Sequence, residues 1–260
     1  MYILGHQGWT DFLSQFGLYV HFAKQHGSAT ILVVDPTQLV FVRRLALGTG
    51  ISVEQLETTD EGTGVCVRCH QRGHPTLCPR TGVSRCHYAN PRLYPKLQGL
   101  CVFDDPERWG TVHGKCLQEG KSFVEAFYNY HGLPSETLWE NFTVLRTPET
   151  ELLRPVPSPY LAYHMQPGVR IPLHRLRKDL QQVSLDRRSP DFFGCLRILE
   201  GATELHLVQS SYCMFVYLLQ LKFGLFAKTP IYVHVSARQN GTTDYKGMFQ
   251  HPPLSNWTFL

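Results

Sequence analysis

The chain has little charge and carries none of it in blocks. Only 18% of its 260 residues are Asp, Glu, Lys or Arg, and 25 basic against 21 acidic side chains leave a formal charge of +4. No basic arm or acidic tail is present, so the dispersed charge argues against a nucleic-acid-binding protein and suits a small anionic partner. There is no stretch of about 18 apolar residues, so no membrane-spanning helix is expected. The most apolar segment, 205–235, is interrupted by Gln209, Ser210, Ser211, Gln220, Lys222 and Lys228, which is the pattern of a buried strand–helix–strand. The chain does not open on a basic segment followed by an apolar one, so a cytoplasmic setting is the expectation. In that setting the Asn-x-Thr triplets at Asn141, Asn240 and Asn256 are chance matches. A dinucleotide fingerprint is missing too: Gly5-x-x-Gly8 has no third glycine. Sequence repeats and low-complexity segments are absent.

What remains is globular composition, 43% hydrophobic, in an alternating order. Tyr2-Ile3-Leu4 reads as a strand and 11–26 as a helix, with Phe12, Leu13, Phe16, Val20 and Ala23 on its apolar face and Gly27 closing it. Thr30–Val34 is a buried strand closed by Asp35-Pro36, 37–47 a helix, and Ile51–Leu56 a third strand. This is the βαβ rhythm of a parallel, doubly wound sheet. Residues 60–98, rich in glycine, proline and cysteine, interrupt it as an insertion. The rhythm resumes with a strand at Leu100–Phe103, a helix at about 114–131 and a strand at 139–145.

Arg154-Pro-Val-Pro-Ser-Pro159 is a stiff linker. After it come strands at Tyr160–His164 and Gln182–Leu185, a helix at 190–200, a strand at Leu205–Val208, a helix at 211–224 and a strand at Ile231–Val235. The expected fold is therefore α/β, with two Rossmann-like halves spanning 1–154 and 155–260 and a Cys-rich insertion at 60–98 in the first.

Four groups of residues could carry chemistry. The loop Gly5-His6-Gln7-Gly8-Trp9-Thr10-Asp11 follows the first strand, where ligands of open α/β sheets collect. Its glycines let the backbone turn tightly. Asp11 is either a helix cap or a general base at the mouth of a cleft. The second group is Gln209-Ser210-Ser211, at a strand-to-helix turn. The serines either cap the helix or, with its N–H groups and dipole, form an anion site. The third is a scattered set, His164, Arg170, His174, His234, Arg238, Tyr245 and Lys246, each a phosphate contact or a solvated surface residue. The fourth is Cys66-x2-Cys69-x8-Cys78-x7-Cys86. It reads as a structural zinc site or as free thiols, because the second pair lacks the usual two-residue spacing.

Placed together, these segments resemble a small GT-B glycosyltransferase. "ILGHQGWTDFLSQFGLYVHFAKQH" resembles the first strand, glycine loop and acid-headed helix of heptosyltransferase-like enzymes. "LWENFTVLR", "PYLAYHMQPGVR", "DFFGCLRILEGATELHLVQSSYCMFVYLLQL" and "PLSNWTFL" resemble segments of sugar transferases of microbes and large algal viruses. The resemblance implies two Rossmann-like domains facing across a cleft and an inverting, metal-independent transfer of a sugar from a nucleoside diphosphate sugar, UDP-linked by slight preference, to a glycan hydroxyl. It implies Asp11 as the catalytic base. It also implies that Ser210 and Ser211 bind the donor diphosphate, with His164, Arg170, His234 and Arg238 as further donor contacts. His6, Gly8 and Trp9 would lie at the acceptor, although Trp9 could equally cover the domain interface. The Cys-rich insertion departs from the pattern. A non-catalytic nucleotide- or sugar-binding protein on the same scaffold is the alternative.

Overall fold

The structure, a computed structural model, describes residues 1–5, 8–59, 65–66, 88–89, 93–94, 97–99, 106–146, 156–165, 171–185, 192–235 and 254–260. It divides into two compact units, Met1–Leu145 and Arg146–Leu260. Each is built on a parallel sheet, as the alternating sequence predicts.

In the first unit, strands β1 (Tyr2–Leu4), β2 (Ala29–Val33), β3 (Ile51–Gln55) and β7 (Leu97–Gly99) pair in the order β3-β2-β1-β7, all parallel. Helices α1 (Trp9–His26) and α2 (Pro36–Ala46) make the crossovers. The predicted apolar face of α1 is buried at Phe12, Leu13, Phe16, Val20 and Ala23. Burial of each of the Phe, Leu and Val side chains contributes about 1.5–3 kcal/mol. Gly27 ends α1 in the left-handed conformation, at φ 77°. Leu4, Leu32, Leu56 and Tyr94 form a second cluster, in which the Tyr94 hydroxyl accepts from the Glu57 amide at 2.9 Å. Two-residue strands β4 (Thr58–Thr59), β5 (Val65–Cys66) and β6 (Tyr88–Ala89) form a small antiparallel sheet in the order β4-β6-β5.

Two expectations for this unit need correction. The single helix at 114–131 is two, α3 (Pro106–Gln118) and α4 (Phe123–Tyr130). Gly120, at φ 69°, turns the chain between them, and a reciprocal Ser122/Glu125 capping box opens α4. The strand at 139–145 is instead the short helix α5 (Thr137–Glu140) followed by irregular chain. Helical spacing prevails there because Leu138 and Phe142, four apart, are both buried, and Phe142 meets the Phe16 ring edge-on at 6.3 Å. Gly17 of α1 allows this approach. A Cβ there would collide with the Thr137 carbonyl and lie 2.6 Å from the Tyr128 hydroxyl and 2.7 Å from Leu138 Cα. The strand expected at 100–103 lies outside the described residues; β7 is at Leu97–Gly99.

The second unit is a five-stranded parallel sheet. Its strands are β8 (Tyr160–His164), β9 (Gln181–Ser184), β10 (Glu204–Val208), β11 (Ile231–His234) and β12 (Trp257–Phe259), in the order β9-β8-β10-β11-β12. A 3₁₀ turn, Phe193–Cys195, leads into α6 (Leu196–Gly201), where a helix was expected at 190–200; residues 190 and 191 lie outside the described ones. Helix α7 (Ser211–Phe223) joins β10 to β11 and is buried from Tyr212 to Gln220.

Strand β12 was not foreseen. Asn256 secures it: its amide nitrogen donates to the carbonyls of Phe226 (2.8 Å) and Thr229 (2.7 Å), and its oxygen accepts from Gln220 Nε2 (2.8 Å). Trp257 Nε1 donates to Gln220 Oε1 at 2.8 Å. Both amide hydrogens of Asn256 are thus committed, which leaves that sequon no role as a glycan acceptor. Among the described residues no helix is long and apolar enough to cross a membrane.

Candidate functional site

The strand order of the second unit locates its site. Numbered along the chain, β8 to β12 lie in the order 2-1-3-4-5, so the connections leave in opposite directions from β8 and β10. The carboxyl ends of two such strands form the crevice where open α/β sheets bind ligands. β8 ends there at His164. β10 ends at Val208 and passes through Gln209 and Ser210 into α7.

Ser210 occupies the N-cap position of α7 but makes no side-chain cap. Its Oγ lies instead 3.1 Å from Nδ1 of His164, and both residues are buried, at 3% and 8% exposure. The Tyr212 ring lies 4.3 Å from the His164 ring, and the Tyr212 hydroxyl donates to Cys195 Sγ at 3.5 Å. The imidazole is therefore held between a hydroxyl and an aromatic wall. Ser211, half-buried, begins the helix, whose dipole directs partial positive charge at this turn. Cys213, one turn into α7, has its thiol pushed up to about 12 by burial, so it offers no thiolate near neutral pH.

On the opposite face of the sheet from His164, which pairs in register with Leu207, ionisable groups form a chain. Glu204 Oε1 is 3.2 Å from His206 Nε2, and His206 Nδ1 is 3.1 Å from His234 Nε2. All three are buried. The Arg177 guanidinium lies 3.7 Å from Glu204 Oε2 and also binds Asp179, and the Tyr232 ring stacks on His206 at 4.7 Å. Burial holds His206 below the usual histidine value despite Glu204, which opposes the shift. Burial, reinforced by His206, holds His234 down at about 4. His234 pairs in register with Val208, two residues before Ser210.

The structure thus brings His164, Ser210, Ser211 and His234 to the carboxyl ends of three adjacent strands. It adds Glu204 and His206, which sequence reading missed. The signal was present as Glu204-x-His206, two ionisable residues at the period of one strand face inside an apolar run. His174 is exposed on a 3₁₀ turn, Leu173–Arg175, as a solvated residue would be. Arg170, Arg238, Tyr245 and Lys246 lie outside the described residues.

In the first unit the glycine loop follows the carboxyl end of β1, which lies between β2 and β7 in the sheet. Asp11 is the third residue of α1, and its Oδ2 accepts from the Gly8 amide at 3.0 Å, so the capping role is realised. A Cβ on Gly8 would lie 2.5 Å from that oxygen, so a larger residue there would have to displace the Asp11 carboxylate. A Cβ on Gly5 would run into Gln15 Oε1 and the Tyr19 hydroxyl, a buried pair hydrogen-bonded at 2.8 Å. Burial and, second to it, the Asp11 carboxylate push the Tyr19 hydroxyl well above its usual value. Trp9 stacks on Phe41 of α2 at 4.8 Å. His6 lies outside the described residues, as do Cys69, Cys78 and Cys86; the backbone of Cys66 is in β5, and its side chain is not described. Among the described residues no group of three or more His, Cys, Asp or Glu side chains is arranged to hold a metal ion.

No family model, curated protein or solved structure matches this chain.

Proposed function

We propose that the protein is an inverting glycosyltransferase that takes its sugar from a nucleoside diphosphate sugar, UDP-linked by slight preference, and transfers it to a glycan hydroxyl. The observation that carries the reading is the Ser210–His164 pair at the switch point of the second sheet. A serine there that bonds across strands instead of capping its helix fits a turn arranged for a ligand. On this reading the turn and the α7 terminus bind the diphosphate, where the leaving group gains charge. Arg170 and Arg238 are further phosphate contacts. Asp11 takes the acceptor proton as that oxygen attacks the anomeric carbon. The bond to the diphosphate breaks in the same step, and the anomeric configuration inverts. His6, Gly8 and Trp9 serve the acceptor. A zinc ion held by Cys66, Cys69, Cys78 and Cys86 would be structural; metal analysis of purified protein tests it.

A second reading has its own observation. Asp11 already caps α1 through Gly8, which is sufficient reason for an acid there and leaves a nucleotide- or sugar-binding protein without turnover. A thermal-shift screen of nucleoside diphosphates and their sugars tests what both readings share: a binding partner at a hundred times its Kd stabilises by about 2.7 kcal/mol. Sugar release or transfer with the best partner then separates them.

A further inference from the structure

We infer that Gln38 is a specificity residue of the first unit, its buried amide taking a hydrogen bond from a hydroxyl of the sugar acceptor beside Trp9. The inference rests on the proposed function for its ligand, an acceptor sugar at the first unit, but not for its geometry.

The place of Gln38 follows from the sheet. β1 and β2 run parallel with Ile3 beside Ile31, so Gly5 is level with Val33, and α2 begins at Pro36, just past that carboxyl edge. Ligands of open α/β sheets collect at this edge. The buried residues of α2 are Gln38, Phe41, Val42, Leu45 and Ala46, spaced as one helix face. All but Gln38 are apolar, and Gln38 stands first, in the opening turn. Phe41, one turn further on, stacks on the Trp9 ring at 4.8 Å. Side chains of a helix lean toward its N-terminus, so Gln38 leans from the Phe41–Trp9 stack toward the carboxyl edge of the strands.

Its amide is buried and incomplete. Gln38 is 8% exposed, and its Oε1 meets no hydrogen-bond donor among the described residues. A buried acceptor without a donor is destabilising, and an apolar side chain would continue the helix face at no such cost. Capping does not account for it. Asp35 already serves the start of α2, its Oδ1 accepting from the Thr37 amide at 2.9 Å and from the Thr37 hydroxyl at 2.7 Å. What Gln38 lacks is a donor, and a sugar hydroxyl supplies one. Because a hydroxyl also accepts, it serves the amide turned either way round. An aromatic wall beside a single polar group is the pairing that orients a ring apolar on its C–H face and polar at its rim.

The test uses the full chain. ¹⁵N-labelled wild-type protein is titrated, alone and with saturating UDP, with the methyl glycosides of glucose, galactose, mannose, xylose and N-acetylglucosamine. At least one should bind and shift the amides of Trp9 and Gln38. Gln38→Leu should melt no lower than wild type, since the unmet acceptor is gone. It should bind that glycoside about tenfold more weakly, with UDP affinity within about twofold. Gln38→Met, unbranched, carries the same reading if leucine unfolds the chain. Deoxy forms of the glycoside then find the hydroxyl: one of them should lose about tenfold on the wild type and almost nothing on the variant. A residue that only packs would not produce that coupling. Equal affinity of wild type and variants for every glycoside that binds overturns the inference. So does a loss in the variants that is coupled to no hydroxyl. Failure of every glycoside to bind the wild type overturns the acceptor assigned to the first unit in the proposed function and, with it, the ligand of Gln38.

Discussion

Each unit places a polar segment at the carboxyl end of a strand of a parallel sheet, after β1 in the first and after β10 in the second, yet they use it differently. After β1 each feature answers to a local need: Asp11 caps Gly8, Gly5 clears the buried Gln15–Tyr19 pair, and Trp9 packs on Phe41. After β10 local need does not account for the polar residues. Ser210 leaves its helix uncapped to reach His164, and two histidines and a glutamate are buried in a chain along the strands. Burying ionisable groups costs free energy, and apolar residues would pack as well. The comparison teaches that the stronger structural sign of a ligand lies in the second unit, while the case for the first rests on Asp11 having a task beyond capping.

The largest expected effect is on that task. Asp11→Asn keeps an oxygen to accept from Gly8, so thermal stability should change little. Sugar transfer should fall about 10²–10⁴-fold with donor binding retained. Wild-type turnover in this variant would reduce the first loop to a cap and sharpen the contrast between units.

Next in size is Gly17→Ala, which forces a Cβ against the Thr137 carbonyl and Leu138 Cα. Backbone cannot step aside as a side chain can, so denaturant unfolding should show a loss of about 3 kcal/mol in the first unit, with ligand binding to the second unchanged.

Acid should act on the second unit. His234 titrates at about 4 when folded, against 6.5 for a free imidazole, so the unfolded chain takes up protons first as pH falls. The stability held above about pH 6.5 should therefore drain away down to about pH 4, by up to about 3 kcal/mol, and then level off. His234→Leu should flatten that slope.

Ser210→Ala is the mildest. It removes the hydroxyl facing His164 Nδ1 and should cost about 1–2 kcal/mol in melting experiments, with weaker pyrophosphate binding.

How much of this could be read in the chain varied with the kind of signal. Strands β8, β9, β10 and β11 and helix α7 of the second unit were legible because short apolar runs are bounded by Gln209-Ser210-Ser211 and Pro230, whereas β12 was not. The break between α3 and α4 was written in Ser122-x-x-Glu125, a capping box hidden inside an apolar periodicity that looked continuous. The segment 139–145 misled because its β-formers also fit helical spacing, and only packing against Gly17 decides between the two. Ser210 and His164 were named separately. Their pairing depends on β8 lying beside β10, across 46 residues of chain. Glu204 and His206 escaped notice because a strand's first residues look solvated until its neighbours on both sides are known.

The most direct test of the account maps ligand binding on the amides of isotope-labelled protein. Titration with UDP, or with whichever of UDP, ADP and GDP stabilises best, should shift His164 and residues 209–212 first and furthest. Shifts absent from those residues, or confined to the loop at Gly5–Asp11, would contradict it.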